Sequence, residues 1–287
     1  MTRGWFRDKQ CFITGAASGI GRAVAMALGE QGARLFLTDI NASRLEEVTA
    51  QIVTKGGTVA ARKALDIANY EEVKKYADEI QTGFGPMDVV MNIAGHAIWG
   101  TVDLLRYEHW KKMIDVNLMG PIHVIECLLP AMVRGRKGGR LVNVSSAAGL
   151  IVLPWHAAYS ASKFGLRGLS EVLRYDLRRH RIGVTVVCPG AVRTPLVGTA
   201  EIVGVDRSGA ESKKFIKRFE GMAVTPEHAA RKIIAGTARN KRLVFTSPDI
   251  RVFYWLKRKM YPVYHLVTIF MNDMISRITE KMKSTAA

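Results

Sequence analysis

The sequence predicts a doubly wound α/β fold, a parallel sheet of about seven strands with helices on both faces, lengthened at the C-terminus by further helix. Three observations carry this expectation. Short apolar runs of strand length alternate with longer segments of helical period. The runs are almost continuously apolar, as strands covered on both faces must be. Several helical segments close on glycine, which ends helices readily because it enters the left-handed region without a Cβ clash.

In chain order the first strand, CFIT (11–14), runs into TGAASGIG and a helix over 19–32. The second, RLFLT (34–38), ends at Asp39 and leads to a helix over 42–57. TVAARKAL (58–65) is the third, followed by a helix over 69–85, and DVVMNI (88–93) is the fourth. A long helical stretch spans 104–134, RLVNVS (140–145) is the fifth strand, and a second long helix spans 157–180. GVTVVC (183–188) and RLVFT (242–246) complete the sheet. With no repeat, linker or low-complexity segment, one domain is expected over 1–247, then a basic amphipathic helical extension over 248–287.

Composition agrees. The 287 residues are 48% hydrophobic with 26 glycines, enough for a sizeable core. The three cysteines, Cys11, Cys127 and Cys188, have neither pairing nor metal spacing, so a reducing compartment and no metal site are expected. MTRGWFRDKQ passes from charges directly into the first strand, and no run approaches the roughly 18 apolar residues of a spanning helix. These features point to the cytoplasm. The net charge of +17 suits a phosphate-bearing ligand or an anionic surface, or is simply a solvated basic exterior. No basic run interleaved with aromatics occurs before residue 251, so nucleic acid is not an expected partner.

Two motifs carry chemistry. Thr14 to Gly21 reads T-G-x-x-x-G-x-G between a strand and a helix, with Gly15, Gly19 and Gly21 letting the backbone approach a pyrophosphate at the helix N-terminus. Asp39 closes the second strand 18 residues after Gly21, about where a carboxylate accepts from the hydroxyls of an adenine ribose. A carboxylate there repels a 2′-phosphate, and neither Ser18 nor Ile40 is basic, so NAD is expected over NADP. Tyr159 and Lys163 stand four residues apart and share one helix face. An ammonium beside a phenol lowers its pKa from near 10 and brings proton exchange with an alcohol within reach. Ser146, 13 residues before Tyr159, is placed to hold a substrate oxygen, and Asn117 is a polar residue in an apolar stretch.

Together with NIAG (92–95) and PGAVRT (189–194), these residues in this order resemble the short-chain dehydrogenase/reductase family in its single-domain form, over roughly residues 8–247. The resemblance implies a Rossmann fold and an oxidoreductase with Tyr159 as acid/base, Lys163 assisting it and contacting the nicotinamide ribose, and Ser146 orienting the substrate oxygen. Ser145 is a neighbour not to be confused with it. Asn117 would hold a water linking Lys163 to solvent. Around the cofactor it places Thr14, Gly15, Ser18, Gly19, Ile20 and Gly21, then Asp39, Asp66 and Ile67. Asn92, Ala94 and Gly95 follow, then Pro189, Gly190, Val192 and Thr194. Relatives associate through the long helices, which implies a homodimer or homotetramer.

For the substrate, apolar residues near Tyr159 suggest a bulky hydrophobic secondary alcohol or ketone, steroid-like, terpenoid or long-chain. Ile98, Leu153, Trp155, His156 and Leu196 are the candidate lining, although loop packing for Trp155 and a solvated surface for His156 account for them equally. A lid is expected over about 195–224, where Lys213, Lys214, Lys217 and Arg218 form either a site for an acidic group or a solvated face. Beyond the core, Phe253, Leu256, Met260, Val263, Val267, Phe270, Met274 and Ile278 recur at helical spacing, with Pro262 kinking or dividing the helix. This stripe packs on the domain or a partner subunit, or lies against a membrane. A non-catalytic NAD(H)-binding sensor or scaffold attached through this tail is the alternative to an enzyme.

Overall fold

The computed structural model describes residues 4–196, 200–205, 209, 213–214, 217 and 221–284, with side chains as far as residue 277. Its strands are β1 (Gln10–Thr14), β2 (Arg34–Asp39), β3 (Thr58–Ala64), β4 (Val89–Asn92), β5 (Ile98–Trp99), β6 (Gly139–Val144), β7 (Ile182–Cys188), β8 (Glu201–Ile202) and β9 (Leu243–Phe245). Seven of them, the seven apolar runs, form one parallel sheet in the order β3-β2-β1-β4-β6-β7-β9. The order reverses between β1 and β4. In open α/β sheets that switch point, at the carboxyl ends of the strands, is where ligands bind.

The helices are α1 (Gly19–Gly29), α2 (Ala42–Thr54), α3 (Tyr70–Phe84), α4 (Tyr107–Ile114), α5 (Gly120–Gly135), α6 (Ala157–Asp176), α7 (Pro226–Ala238), α8 (Pro248–Lys259) and α9 (Tyr261–Ser284). Asn41 and Asn69 cap α2 and α3 by accepting the backbone N–H three residues on. Strand pleating divides the core into two layers. Along β1 and β2, Cys11, Ile13, Leu35 and Leu37 face Val24, Leu28 and Ile52 of α1 and α2, with Ile233 of α7. The alternating Phe12 and Phe36 face Val73 and Ile80 of α3 and Leu128 and Met132 of α5.

Helices α4 and α5 are joined by a π turn, Asp115–Met119, into one continuous stretch from Tyr107 to Gly135. That stretch is long and apolar enough to cross a membrane, but Val124, Leu128, Leu129 and Met132 are buried in the layer just described, which makes it a core helix. β5 and β8 were not anticipated. They are two residues each, too short for a periodicity to register, and they pair in parallel to tie residues 201–202 to the segment after β4. Part of the expected lid is therefore anchored. Its Arg218 lies outside the described residues, whereas Lys213, Lys214 and Lys217 are exposed.

The C-terminal helix divides at Met260, and Pro262 sits in the first turn of α9, where its missing N–H costs nothing. This break separates the expected stripe. Phe253 and Leu256 pack with Ile250 and Tyr264 against Leu150, Ile151 and Val186, whereas Met260, Val263, Phe270 and Met274 are exposed. Ile278 lies beyond the described side chains.

Candidate active site

At the switch point the glycine turn is packed too tightly for any other residue. Gly15 has φ +69°, and a Cβ on it would lie 2.8 Å from Cα of Ala94. A Cβ on Gly21 would lie 1.9 Å from the carbonyl oxygen of Gly15. Gly19, φ +49°, faces Thr194, whose methyl would be 3.0 Å from an added Cβ. Thr14 Oγ1 accepts from the N–H groups of both Ile93 and Ala94 at 3.0 Å, which joins the turn to the end of β4. Ser18 is the N-cap of α1 with its side chain uncommitted there, and Ile20 packs on the core below.

Asp39 closes the other side. Its carboxylate accepts from Ala17 N at 3.0 Å and Asn41 N at 2.9 Å, which holds it against the glycine turn. A cavity beside the turn is lined by Ser18, Gly19, Arg22, Arg44, Gln51 and Pro195. Its two guanidiniums come from positions on α1 and α2, away from Ser18 and Ile40. Arg22 donates to Gln51 Oε1 at 2.9 Å. Asp66 caps its own turn, accepting from Ala68 N at 2.9 Å, and Ile67 is buried against Gly120. A glycine cradle that a Cβ would fill, the N-terminus of α1 and the carboxylate at the end of β2 together fit a dinucleotide.

On the far side, Pro189 accepts from Ala147 N at 2.7 Å and Gly190 donates to Thr246 Oγ1 at 3.3 Å. Val192 forms a bridge with Val224. The loop after β7 is thus fastened above the sheet.

Tyr159 and Lys163 lie on α6, both buried. Lys163 Nζ donates to Val144 O at 3.1 Å and stands 5.7 Å from the phenol ring centroid. Burial pushes the Lys163 pKa down to about 8. Burial also raises that of Tyr159, countered in part by the Ser146 hydroxyl. The sequence argument had the ammonium lowering the phenol's pKa. Here desolvation dominates instead, and the lowering influence comes from Ser146 and not from the ammonium, because both groups are moved out of water and each is pushed towards its neutral form. Ser146 Oγ accepts from Ala148 N at 3.1 Å, while the neighbouring Ser145 hydroxyl donates to Lys163 O at 2.8 Å. Ser145 therefore fixes the helix, and Ser146 faces the phenol.

Asn117 lies in the π turn and is fully buried. Its Oδ1 accepts from His96 N and its Nδ2 donates to His96 O, each at 2.9 Å, and the same Nδ2 reaches Ser162 Oγ at 3.2 Å. A Cβ on Gly95 would sit 3.0 Å from Asn117 Oδ1 and 3.3 Å from Lys163 Nζ, so Gly95 lies between the two. Asn92 Nδ2 donates to Asn143 Oδ1 at 2.9 Å, and Asn143 Nδ2 donates to Ser170 Oγ at 2.8 Å. The sequence reading passed over Asn143. An amide inside the apolar RLVNVS was the available signal, since an unpartnered one there is costly.

Around the phenol, Ile98, Leu105, Met113, Ala148 and Ala200 form an apolar cluster with Leu153 and Leu196 against it. Of the expected lining, Trp155 enters through its backbone: its carbonyl accepts from Gly100 N at 2.8 Å, and its φ is +67°. His156 is not a solvated surface residue. Its ring lies 4.8 Å from Trp99 and 6.0 Å from Tyr159, and Nδ1 donates to Pro154 O at 2.6 Å. Burial lowers its pKa to about 4. The ring is then neutral near pH 7, with Nε2 an acceptor.

Comparison with known proteins agrees with this geometry. The family model described as short chain dehydrogenase matches residues 9–202. The chain is 34% identical over 263 residues to a Mycobacterium tuberculosis protein named "Putative oxidoreductase SadH", covering 90% of this chain and 93% of that one. Among solved structures, a short-chain dehydrogenase/reductase from Burkholderia phymatum in complex with NAD is 26% identical with a TM-score of 0.80, over 90% of this chain and 95% of that one. A metagenomic short-chain oxidoreductase in complex with NADP is 28% identical with a TM-score of 0.67, over 84% and 96%. The chain belongs to the short-chain dehydrogenase/reductase family of oxidoreductases.

Proposed function

We propose that this protein is an NAD-dependent oxidoreductase that interconverts a bulky, apolar secondary alcohol and its ketone, whether steroid-like, terpenoid or long-chain. The observation that carries the reading is the burial of Tyr159 in an apolar cluster, with Ser146 and Lys163 against it. The cofactor, when bound, supplies or accepts the hydride. Thr14, the three glycines and Asp39 hold it, with Asn92, Ala94, Gly95, Pro189, Gly190, Val192 and Thr194 closing the nicotinamide side.

Tyr159 holds the proton that reaches the carbonyl oxygen in reduction and takes it back in oxidation. Ser146 orients that oxygen by hydrogen bonding. Lys163 sets the local charge and anchors the ribose. Asn117 is a positioning residue, because its amide ties His96 to Ser162 on the helix of Tyr159. Asn117 would also hold a water that links Lys163 to solvent. Ile98, Leu153 and Leu196 form the apolar wall, and the neutral His156 offers its one polar acceptor there. NAD is favoured because Asp39 would face a 2′-phosphate. We place the protein in the cytoplasm as a homodimer or homotetramer, peripheral to a membrane through its C-terminal helices.

The test is NADH formation from NAD, with NADP in parallel, over secondary alcohols of increasing apolar size. Turnover should rise with size, and Tyr159→Phe should lower kcat by about 10²–10⁴ while NADH binding stays nearly unchanged. A fully active Tyr159→Phe enzyme would remove the phenol from the chemistry. NADH binding without turnover across the whole panel would favour the sensor.

A further inference from the structure

We propose that the outer faces of α8 and α9 form a docking surface for an anionic lipid bilayer. Both helices turn their inner faces to one loop: Lys257 Nζ donates to Leu150 O at 2.8 Å, and Tyr264 Oη accepts from Val152 N at 2.7 Å. What faces outward on α8 is Arg251, Val252, Trp255, Arg258 and Lys259, all exposed at helical spacing. On α9 it is Val263, Leu266, Phe270 and Met274. Trp255 is 54% exposed, Leu266 67% and Phe270 70%, values a folded domain does not leave on adjoining helices unless something covers them.

The concentration is local. Of the 20 large hydrophobic residues exposed among those described, nine fall between Val252 and Met274. The charge over that stretch has one sign. Between Asp249 and Asp273 the sequence has Arg251, Lys257, Arg258 and Lys259 and no carboxylate.

The sign decides the occupant. A second copy meeting this face about a twofold axis would bring together two faces that each carry Arg251, Arg258 and Lys259, with the exposed Asp273 farther along α9 to offset them. An anionic headgroup layer complements those cations, and the boundary below it takes Trp255, Phe270 and Leu266. The proposal rests on the peripheral placement in the proposed function and not on its redox chemistry, so loss of vesicle binding and loss of turnover are separate results.

The full-length protein is sedimented with vesicles of phosphatidylcholine alone and of phosphatidylcholine mixed with phosphatidylglycerol. Binding is expected only to the mixed vesicles and should weaken as salt rises. Replacing Arg251, Arg258 and Lys259 with Gln should lower partitioning by about a hundredfold. Phe270→Glu and Trp255→Glu should each lower it at least about tenfold, with the thermal midpoint unchanged because both side chains are already exposed. Equal sedimentation of wild type and these variants, or equal binding to neutral vesicles, overturns the proposal. So does a wild type that ignores vesicles but whose oligomer dissociates in Phe270→Glu on light scattering, since a second copy then covers the face.

Discussion

Replacing Asn143 with alanine is expected to destabilise the protein by about 2–4 kcal/mol. Asn143 is fully buried on β6 and bridges Asn92 at the end of β4 to Ser170 on α6, whose hydroxyl donates onward to Leu166 O at 2.6 Å. Without it, Asn92 Nδ2 loses its acceptor at a site closed to water, a cost of about 1–3 kcal/mol. The missing carboxamide leaves a void worth about 1 kcal/mol more. Ser170 suffers least, because its own O–H keeps its partner. At roughly 2–3 °C per kcal/mol for a chain of this size, the melting temperature should fall by about 4–12 °C. Urea unfolding of Asn143→Ala, Asn143→Leu, Asn92→Leu and the Leu/Leu double variant tests the reasoning. The double variant should cost clearly less than the two single leucine changes together, because it removes donor and acceptor at once. A loss below about 1 kcal/mol in Asn143→Ala, or strict additivity in the leucine cycle, would refute the account.

Gly21→Ala should cost at least about a hundredfold in NADH affinity by fluorescence titration, since its Cβ would overlap the Gly15 carbonyl and displace the turn. Asp39→Ala should shift the NADP-to-NAD ratio of kcat/KM at least about tenfold towards NADP, because it removes the carboxylate and leaves Arg22 and Arg44 lining the same cavity. Lys163 is buried with its pKa lowered to about 8, below its unfolded value of 10.5. The unfolded chain therefore holds that proton more tightly between these values, and the stability of the wild type rises with pH across that window. Relative to Lys163→Met, the wild type should gain about 3 kcal/mol between pH 7 and the upper end of the window, read from urea midpoints. A pH-independent difference would mean that the lysine is solvated.

The sequence made the sheet legible because most of its strands are buried on both faces and stand out as apolar runs, and each of the seven expected strands pairs in the main sheet. β3, read as buried, is instead an edge strand with Arg62 and Lys63 and no buried residue along it. Glycines were legible where they were needed, as at Gly15 and Gly21, since no other residue fits so close to a neighbouring backbone. What escaped were features set by tertiary contact. β5 and β8 exist only because each supplies the other's hydrogen bonds. The π turn at Asp115–Met119 sits inside a helical pattern, and only three-dimensional packing reveals that it turns Asn117 into the core. The C-terminal stripe was read as one face. A single non-helical residue at Met260 turned its two halves in different directions.

The pKa directions at Tyr159 and Lys163 follow from the same distinction between sequence spacing and burial. Four residues apart on a helix brings two side chains to one face, but it does not set the medium between them. With the phenol in the apolar cluster and the amine under β6, desolvation disfavours both charges, so the unliganded site holds a protonated phenol. That is the form able to donate to a ketone oxygen. The positions of the two groups do not depend on their attraction for each other. Ser145 fixes the Lys163 carbonyl, Ser162 fixes that of Tyr159, and Asn117 bonds Ser162 from the opposite wall. On the other side, Lys257 and Tyr264 hold the loop that joins Ser146 to Tyr159. The C-terminal helices are thus part of the scaffold that spaces serine from tyrosine. Whatever settles on their outer faces lies behind two helices that each hydrogen-bond to that loop, at Leu150 and at Val152.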